Sequence, residues 1–411
     1  MRVVVVAEWY PSAADPVHGI WAHRQALAAK NHGAELRVLA LRRPVPPLSV
    51  LRQTARLPPR ARPLIEWGAG AARALRTERR DGLKVAPVPW LAPPRPLSYG
   101  TWGWWMAPPL GRALDRLRAE WPFDVLHAHC LAPTGHAAAR WMQRHGGRDR
   151  PALVVSAHGP DMIHVPQRSA AGRLACSQAL RLSDLVLANS RWASERCVAL
   201  GADPSAVRVV HLGAHPSTAP LRRAPEPTIV TCAHLHARKH HATVLRALAQ
   251  MAPERRPRYL VIGDGEQRRE LERLTGALGL ADRVDFLGQL PNDEAVRLVA
   301  SCDLFVMPGV EEPFGVAFVE AMGAGVPAVG GRGEGGPQDI AAAGEGIVLV
   351  APGDVGELRR ELERLLADRP SLWRLGEAAR ATVRASFTWA LCGERTVAAY
   401  REAIERARRP R

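Results

Sequence analysis

Short runs of β-branched and aliphatic residues alternate with longer helical stretches along this chain, and the whole pattern is played through twice. The first pass opens with "RVVVVAEWY", a loop of Pro, Ser, Asp and Gly, the helical "GIWAHRQALAAKNHG" ending on Gly33, and a further strand, "ELRVLAL". That is a βαβ unit. "FDVLHAH", "ALVVSAHG", "DLVLANS" and "VRVVHLG" follow as short buried strands, with helical stretches such as 134–146 and 170–183 between them. Strands apolar throughout and separated by helices imply a parallel sheet covered on both faces.

The rhythm breaks at "GAHPSTAPLRRAPEP", residues 213–227, which is Pro-rich and lacks apolar periodicity. It then restarts with "TIVTCA", "RYLVIGDG", "VDFLGQL" and "DLFVMPG", each followed by a helical stretch, and then "VPAVG" and "GIVLV". The expected architecture is therefore α/β, with two Rossmann-like parallel-sheet domains facing a central cleft and helices at the C-terminus. The boundaries expected are 1–215 for the N-terminal domain, 216–227 for a linker and 228–388 for the second domain. The last helix, 389–411, either caps the second domain or crosses back to the first. Residues 44–110 read as an irregular Pro/Arg/Trp segment with one amphipathic helical candidate at about 64–80. At 411 residues and 47% hydrophobic content the chain suffices for two cores.

Charge is unevenly placed. Residues 1–220 hold 29 Lys+Arg against 14 Asp+Glu, whereas 221–411 hold 27 against 26. All but three of the 56 basic residues are arginine, the exceptions being Lys30, Lys84 and Lys239. An even arginine bias would load both halves alike, so the asymmetry points to an anionic partner for the first half. The six cysteines form no CxxC pair and no metal-ligand spacing, which suits a reducing compartment. The apolar run after Arg2 ends at Glu8, too short for a secretory core, and no segment is long enough to span a membrane. A cytoplasmic protein is expected, with the membrane surface open to it.

Chemistry concentrates in "EEPFGVAFVEAMGAGVPAV". Glu312 stands before a helix that begins near Pro313, and Glu320 lies eight positions on. The helix N-terminus presents backbone N–H groups near Phe314, Gly315 and Val316, a site for a phosphate or a polarised hydroxyl. A carboxylate beside such a site repels phosphate but accepts paired hydrogen bonds from a sugar's vicinal hydroxyls. On these residues alone, Glu312 as a mere helix cap and Glu320 as half of an ion pair are equally open. Arg238 and Lys239, in "HARKHH", stand where a strand gives way to a helix, the cation a diphosphate needs. The neighbouring histidines show no zinc-like spacing, so no metal is expected. Gly19, before the first helix, is a weak phosphate-loop signal. Gly263, in "IGDGEQRREL", belongs to a Gly-x-Gly turn that lacks the third glycine of a dinucleotide fingerprint. His127, His129 and His158 stand at strand ends, where structural and functional roles are both open.

Glu312, Pro313, Phe314, Gly315, Glu320, Ala321, Met322, Gly325 and Pro327 together resemble the signature of family-4 retaining glycosyltransferases of the GT-B fold. "DVLHAHC", "SAHGPD", "ANSRWASERCVALG", "RKHH", "VIGDGEQRRELERL" and "GEGGPQDIAAAGEGIVLVAPGD" carry the resemblance along nearly the whole chain except 44–110. It implies that Glu320 binds the ribose of a nucleotide diphosphate sugar donor, and Glu312 the transferred sugar. The N–H groups from Phe314 to Val316 also contact that sugar. Lys239, with Arg238, neutralises the diphosphate; Gly263 and the Gly19 loop complete the donor site, and His158 lies beside the reacting centre. The implied reaction moves a hexose to a glycan or lipid-linked acceptor with retention, in polysaccharide or glycolipid synthesis. No cofactor or metal is implied.

The sequence departs from the family pattern at His234, where an arginine is usual, at His240 for a glycine, and at Gln338-Asp339 for Pro-Glu. Either Arg238 compensates for His234 or diphosphate binding is weaker and pH-dependent. Competing functions are a nucleotide-sugar epimerase on the same fold, or a noncatalytic protein that binds nucleotides or nucleic acid. Glu312 and Glu320 repel polyanions and speak against nucleic acid. "PLIEWGAGAARALR" and "YGTWGWWMAPPLG", which combine Trp with Arg, favour an anionic membrane surface unless their tryptophans pack a core.

Overall fold

The protein is represented by a computed structural model, which describes residues 1–12, 15–46, 50, 62–147, 149–217 and 224–409. The chain forms two compact units, one of residues 1–189, 193–210 and 392–411, the other of residues 190–192 and 211–391. Of the expected linker 216–227, residues 218–223 lie outside the described residues, as do 47–49 and 51–61 of the expected irregular segment.

The first unit is built on eight strands: β1 Arg2–Ala7, β2 Glu35–Arg42, β3 Glu78–Arg80, β4 Leu83–Pro89, β5 Val125–His129, β6 Ala152–Ala157, β7 Leu185–Ala188 and β8 Val207–Val209. They run in the order β3-β4-β2-β1-β5-β6-β7-β8. All pair in parallel except β3, which is antiparallel to β4. Val3 to Val6 are fully buried, as β-branched residues on a central strand covered on both faces should be.

The segment expected to be irregular is in fact ordered where it is described. Helix Arg62–Ala74 is followed by the β3–β4 hairpin and by helix Trp102–Glu120. Pro87 and Pro89 argue against a strand because proline cannot donate to a ladder. β4 tolerates them because β3 pairs only with Leu83, Lys84 and Val85 and leaves the rest of that side unpaired. The tryptophans divide: Trp90, Trp102, Trp121 and Trp141 are buried, whereas Trp105 is 49% exposed.

The second unit carries β9 Thr228–Cys232, β10 Arg258–Ile262, β11 Val284–Gly288, β12 Leu304–Met307, β13 Ala328–Gly331 and β14 Ile347–Val350. All are parallel, in the order β11-β10-β9-β12-β13-β14. The order reverses between β9 and β12, so the crevice beyond their carboxyl ends is where a doubly wound sheet binds ligand. Ile229, Leu245, Leu248, Tyr259, Leu304 and Leu362 centre its core.

The C-terminal helix Trp389–Arg408 contributes to the first unit beyond Cys392. There Thr396 accepts a hydrogen bond from Gln25 at 3.1 Å, and the Tyr400 hydroxyl lies 2.8 Å from His127 Nδ1.

Candidate active site

In the second unit, the chain leaves β9 at Cys232 and tightens into a 3-10 turn, Ala237–Lys239. His240, left-handed at φ 58°, closes the turn and starts helix His241–Ala249. That short turn fixes Lys239, which is only 8% exposed. The segment leaving β12 is tied to it: Val310 N donates to Arg238 O at 2.7 Å, and Arg238 Nη1 donates to Glu311 O at 3.0 Å. Glu312, also 8% exposed, forms a direct ion pair with Lys239 Nζ. Sequence alone places a carboxylate and a cation in two separate motifs; the fold brings them together at the switch point.

Glu312 is held through its backbone. Its N–H donates to Glu334 Oε2 at 2.9 Å, and its carbonyl accepts from Gly336 N at 3.1 Å. A Cβ on Gly336 would stand 1.7 Å from Phe314 O, so "GEGG" needs glycine there for close approach. Burial, with the negative charges of Glu312 and Glu311, pushes the Glu334 carboxyl above its ordinary range, although the Glu312 and Glu311 backbones donate to it. Sequence reading missed Glu334; its position between two glycines in a block similar to the family's was the available signal.

Helix Val316–Gly323 starts behind Gly315, whose φ of 79° suits glycine. Its first turn leaves backbone N–H groups with no intrahelical partner, Val316 among them. The Phe314 ring is buried against His211 and Phe387, with centroids 5.6 and 5.9 Å away, so only the Phe314 backbone is available to a ligand. Glu320 is partly buried, and its Oε1 accepts from Asn292 Nδ2 at 3.1 Å. Asn292 begins its own helix and was also missed by sequence reading. Burial pushes the Cys232 thiol up to about 12, with Glu320 raising it and Lys239 lowering it, so both charges act at the end of β9.

Gly263 has a plain structural reason. At φ 132° it ends β10 with its missing Cβ directed 2.0 Å from Ala233 O. His234 is exposed, and His236 Nδ1 lies 2.5 Å from Glu266 Oε2. Asp339, which departs from the family pattern, binds the Arg191 backbone at 2.8 Å, Arg191 Nε at 2.9 Å and His211 Nε2 at 2.8 Å.

In the first unit, Gly19 caps helix Ile20–Asn31 at φ 75°, and a Cβ there would stand 2.2 Å from Trp9 O. His158 follows β6 and packs on Trp21 at 4.0 Å between ring centroids; its Nε2 lies 2.9 Å from His129 Nδ1. Its backbone N–H donates to Asp161 at 3.2 Å, and its carbonyl accepts from Asn189 at 3.1 Å. Burial, reinforced by His127, pushes the His158 imidazole down to about 3, so it is neutral at physiological pH. His127, held between Tyr400 and Ser156 Oγ at 2.7 Å, is structural. Among the described residues, His129 Nε2 and His158 Nδ1 are buried without a hydrogen-bond partner.

Glu8, which the sequence shows only as the end of an apolar run, stands immediately beyond β1 and accepts from Tyr99 OH at 3.3 Å. Burial pushes its carboxyl up to about 7, against the opposing pull of Arg95, the Tyr99 hydrogen bond and Arg43. Among the described residues no three His, Cys, Asp or Glu side chains gather in a metal-binding group.

Two parallel-sheet α/β units, the second with a buried lysine–glutamate pair and a second glutamate at its switch point, define a glycosyltransferase of the GT-B class. Residues 218–382 match the family model for glycosyl transferases group 1, and residues 77–218 match that for glycosyltransferase family 4. A 2-deoxystreptamine glucosyltransferase of Streptomyces kanamyceticus is 31% identical over 288 residues, covering 64% of this chain and 73% of that protein. An MMP alpha-(1->4)-mannosyltransferase of Mycolicibacterium hassiacum is 34% identical over 163 residues, 40% of each chain. Among solved structures, sucrose-phosphate synthase of Thermosynechococcus elongatus superposes with a TM-score of 0.73 at 19% identity, covering 98% of both chains. Anabaena HepE in complex with UDP gives 0.69 at 19% identity, covering 97% of this chain and 99% of that one. The chain belongs to the family 4 glycosyltransferases, and it is an enzyme.

Proposed function

We propose that this enzyme transfers a hexose from a nucleotide diphosphate sugar to a hydroxyl of a glycan or lipid-linked acceptor, with retention and without a bound metal. The observation that carries this reading is the Lys239–Glu312 pair at the switch point of the second sheet, beside Glu320. Lys239 leaves Glu312 for the diphosphate when donor binds, joined by Arg238. Glu312, released, accepts from the hydroxyls of the sugar, and the N–H groups from Phe314 to Val316 bind the same sugar. Glu320, oriented by Asn292, accepts from the ribose diol. In the first unit, the neutral imidazole of His158 is suited to accept a hydrogen bond without adding charge. Gly263 keeps the β10 turn tight beside the donor.

In the transfer step, the bond from the anomeric carbon to the diphosphate breaks and the diphosphate keeps the electron pair. A departing oxygen takes the proton of the acceptor hydroxyl, whose oxygen bonds the same face of the anomeric carbon. Lys239 and Arg238 stabilise the charge that develops on the leaving group. The first relative is named for 2-deoxystreptamine as what it glycosylates, which supports a ring acceptor that bears hydroxyls. A relative named as GDP-mannose-dependent supports a nucleotide diphosphate sugar as donor, and UDP serves as the probe of that site.

An anionic membrane surface is a further partner of this reading. Helix Arg62–Ala74 exposes Leu64 at 39% and Ile65 at 67% together with Arg62 and Arg73, in the basic half of the sequence. No helix among the described residues is long and apolar enough to cross a membrane.

The donor assignment is tested with Lys239→Ala and Glu320→Gln. Both are expected to abolish sugar transfer, and Lys239→Ala to weaken UDP binding by about tenfold or more, as for loss of a charged hydrogen bond. Wild-type transfer rates in both variants would refute the assignment.

A further inference from the structure

The first sheet has a switch point of its own. β1 lies between β2 and β5, so the chain winds away from it in both directions and a crevice opens beyond the carboxyl ends of β1 and β5. Glu8 and Trp9 follow β1 directly, and Cys130, at φ 74°, follows β5. One ring contacts the carboxyl, and a guanidinium links that ring to Trp9. Tyr99 donates its hydroxyl to Glu8 at 3.3 Å, and the Arg95 guanidinium lies 4.3 Å from the Tyr99 ring centroid and 5.8 Å from that of Trp9. Glu8 and Trp9 are partly buried, neither sealed in the core nor freely solvated.

A structural role explains this arrangement poorly. Taking a carboxyl out of water is unfavourable unless it is well paired; Arg95 and Arg43 act on Glu8 through their charge, and its hydrogen bond to a phenol at 3.3 Å is modest. An ionised carboxyl offers about four lone-pair sites, and a protonated one a donor as well; Tyr99 engages one of these. The chemistry left over is specific. Arg95 and Arg43, whose charges act on Glu8, repel cations, and Glu8 when ionised repels anions. Aromatic rings beside a hydrogen-bond acceptor suit a ring with hydroxyls on its rim and C–H bonds on its face.

We propose that Glu8, with Tyr99 against it and Trp9 next in the chain, binds the hydroxyls of the acceptor, and that it selects an uncharged polyhydroxylated ring, a sugar or a cyclitol. The inference rests on the glycosyl-transfer reading above and adds to it the residue that chooses the acceptor. Glu8 is a positioning residue: it holds the ring while the diphosphate takes the proton. Free and lipid-linked acceptors share this ring chemistry.

The test is ring binding by the full chain in the presence of UDP, measured by calorimetry or saturation-transfer NMR. The probes are myo-inositol and the methyl and octyl glycosides of glucose, galactose, mannose and N-acetylglucosamine. Wild type is expected to bind at least one ring, and Glu8→Ala to weaken that binding about tenfold or more. Tyr99→Phe and Glu8→Gln, which keep the volume, are expected to weaken it less. UDP affinity is expected to stay unchanged in all three, which shows that they fold and separates this outcome from failure of the donor assignment. In steady-state transfer, Glu8→Gln is expected to raise the acceptor KM more than it lowers kcat. A methyl glycoside held as well as its octyl form points to a free acceptor; a tighter octyl form that still needs Glu8 points to a lipid-linked one. Ring binding absent in wild type, or unchanged in Glu8→Ala and Tyr99→Phe, overturns the proposal, as does octyl binding indifferent to Glu8.

Discussion

Lys239 and Glu312 are each buried and each other's partner. Removing one member of such a pair leaves an uncompensated buried charge, at a cost of about 3–5 kcal/mol. The donor's diphosphate is the natural replacement for the lost carboxylate. Glu312→Gln is therefore expected to lower the melting temperature of the ligand-free protein and to enlarge the stabilisation by saturating UDP, while depressing transfer. Thermal denaturation with and without UDP checks both signs at once. An unchanged melting temperature would mean that the pair does not hold Lys239 in the absence of ligand. Both residues were legible in the sequence, one from the carboxylate signature and the other as a lone lysine among arginines. Their contact was not, because it depends on β9 and β12 being neighbours although 71 residues separate Cys232 from Leu304. Glu334 and Asn292 were illegible for a related reason: each acts only through the residue it orients.

The ends of β5 and β6 gather His127, His129 and His158, whose rings lie 4.4 and 5.2 Å apart in succession. Burial holds all three below the ordinary imidazole range, His127 and His158 at about 3. The sign follows from proton counts. Between the unfolded value, near 6.5, and the folded one, the unfolded chain binds more protons, so stability rises with pH. This contribution is present above about pH 6.5 and is lost as pH falls toward 3. His136, pushed down to about 4 by burial, adds to it, whereas Glu8, raised to about 7, opposes it because its folded form keeps its proton. More groups are depressed than raised, so the melting temperature is expected to fall steadily between pH 6.5 and 4.5. His129→Asn is expected to flatten the slope. A melting temperature flat across that range would show that these rings are not buried as neutral groups. The strands themselves were readable from their apolar runs. β4 was not, since its two prolines are acceptable only because β3 is too short to pair with them.

Across the whole molecule, the net charge of +16 lies almost entirely in residues 1–220. The sequence could not decide whether the tryptophans beside this charge face a membrane or a core, because irregular spacing carries no period. The structure divides them: Trp102 is 4% exposed, while Trp105, Leu64 and Ile65 remain at the surface. Electrostatic attraction to anionic lipid falls off within a Debye length of about 10 Å at 0.1 M salt and about 3 Å at 1 M. Apolar insertion is indifferent to salt at first order. The two contributions therefore separate in a flotation assay. Binding to phosphatidylglycerol vesicles is expected at 0.1 M salt and to be largely lost at 1 M, with neutral phosphatidylcholine vesicles bound weakly at both. Ile65→Glu, which replaces the most exposed large apolar side chain among the described residues with a charge of the lipid's own sign, is expected to lower binding at 0.1 M salt without changing UDP affinity. Equal binding to neutral and anionic vesicles, or none to either, would assign the basic half of the chain to another anionic partner.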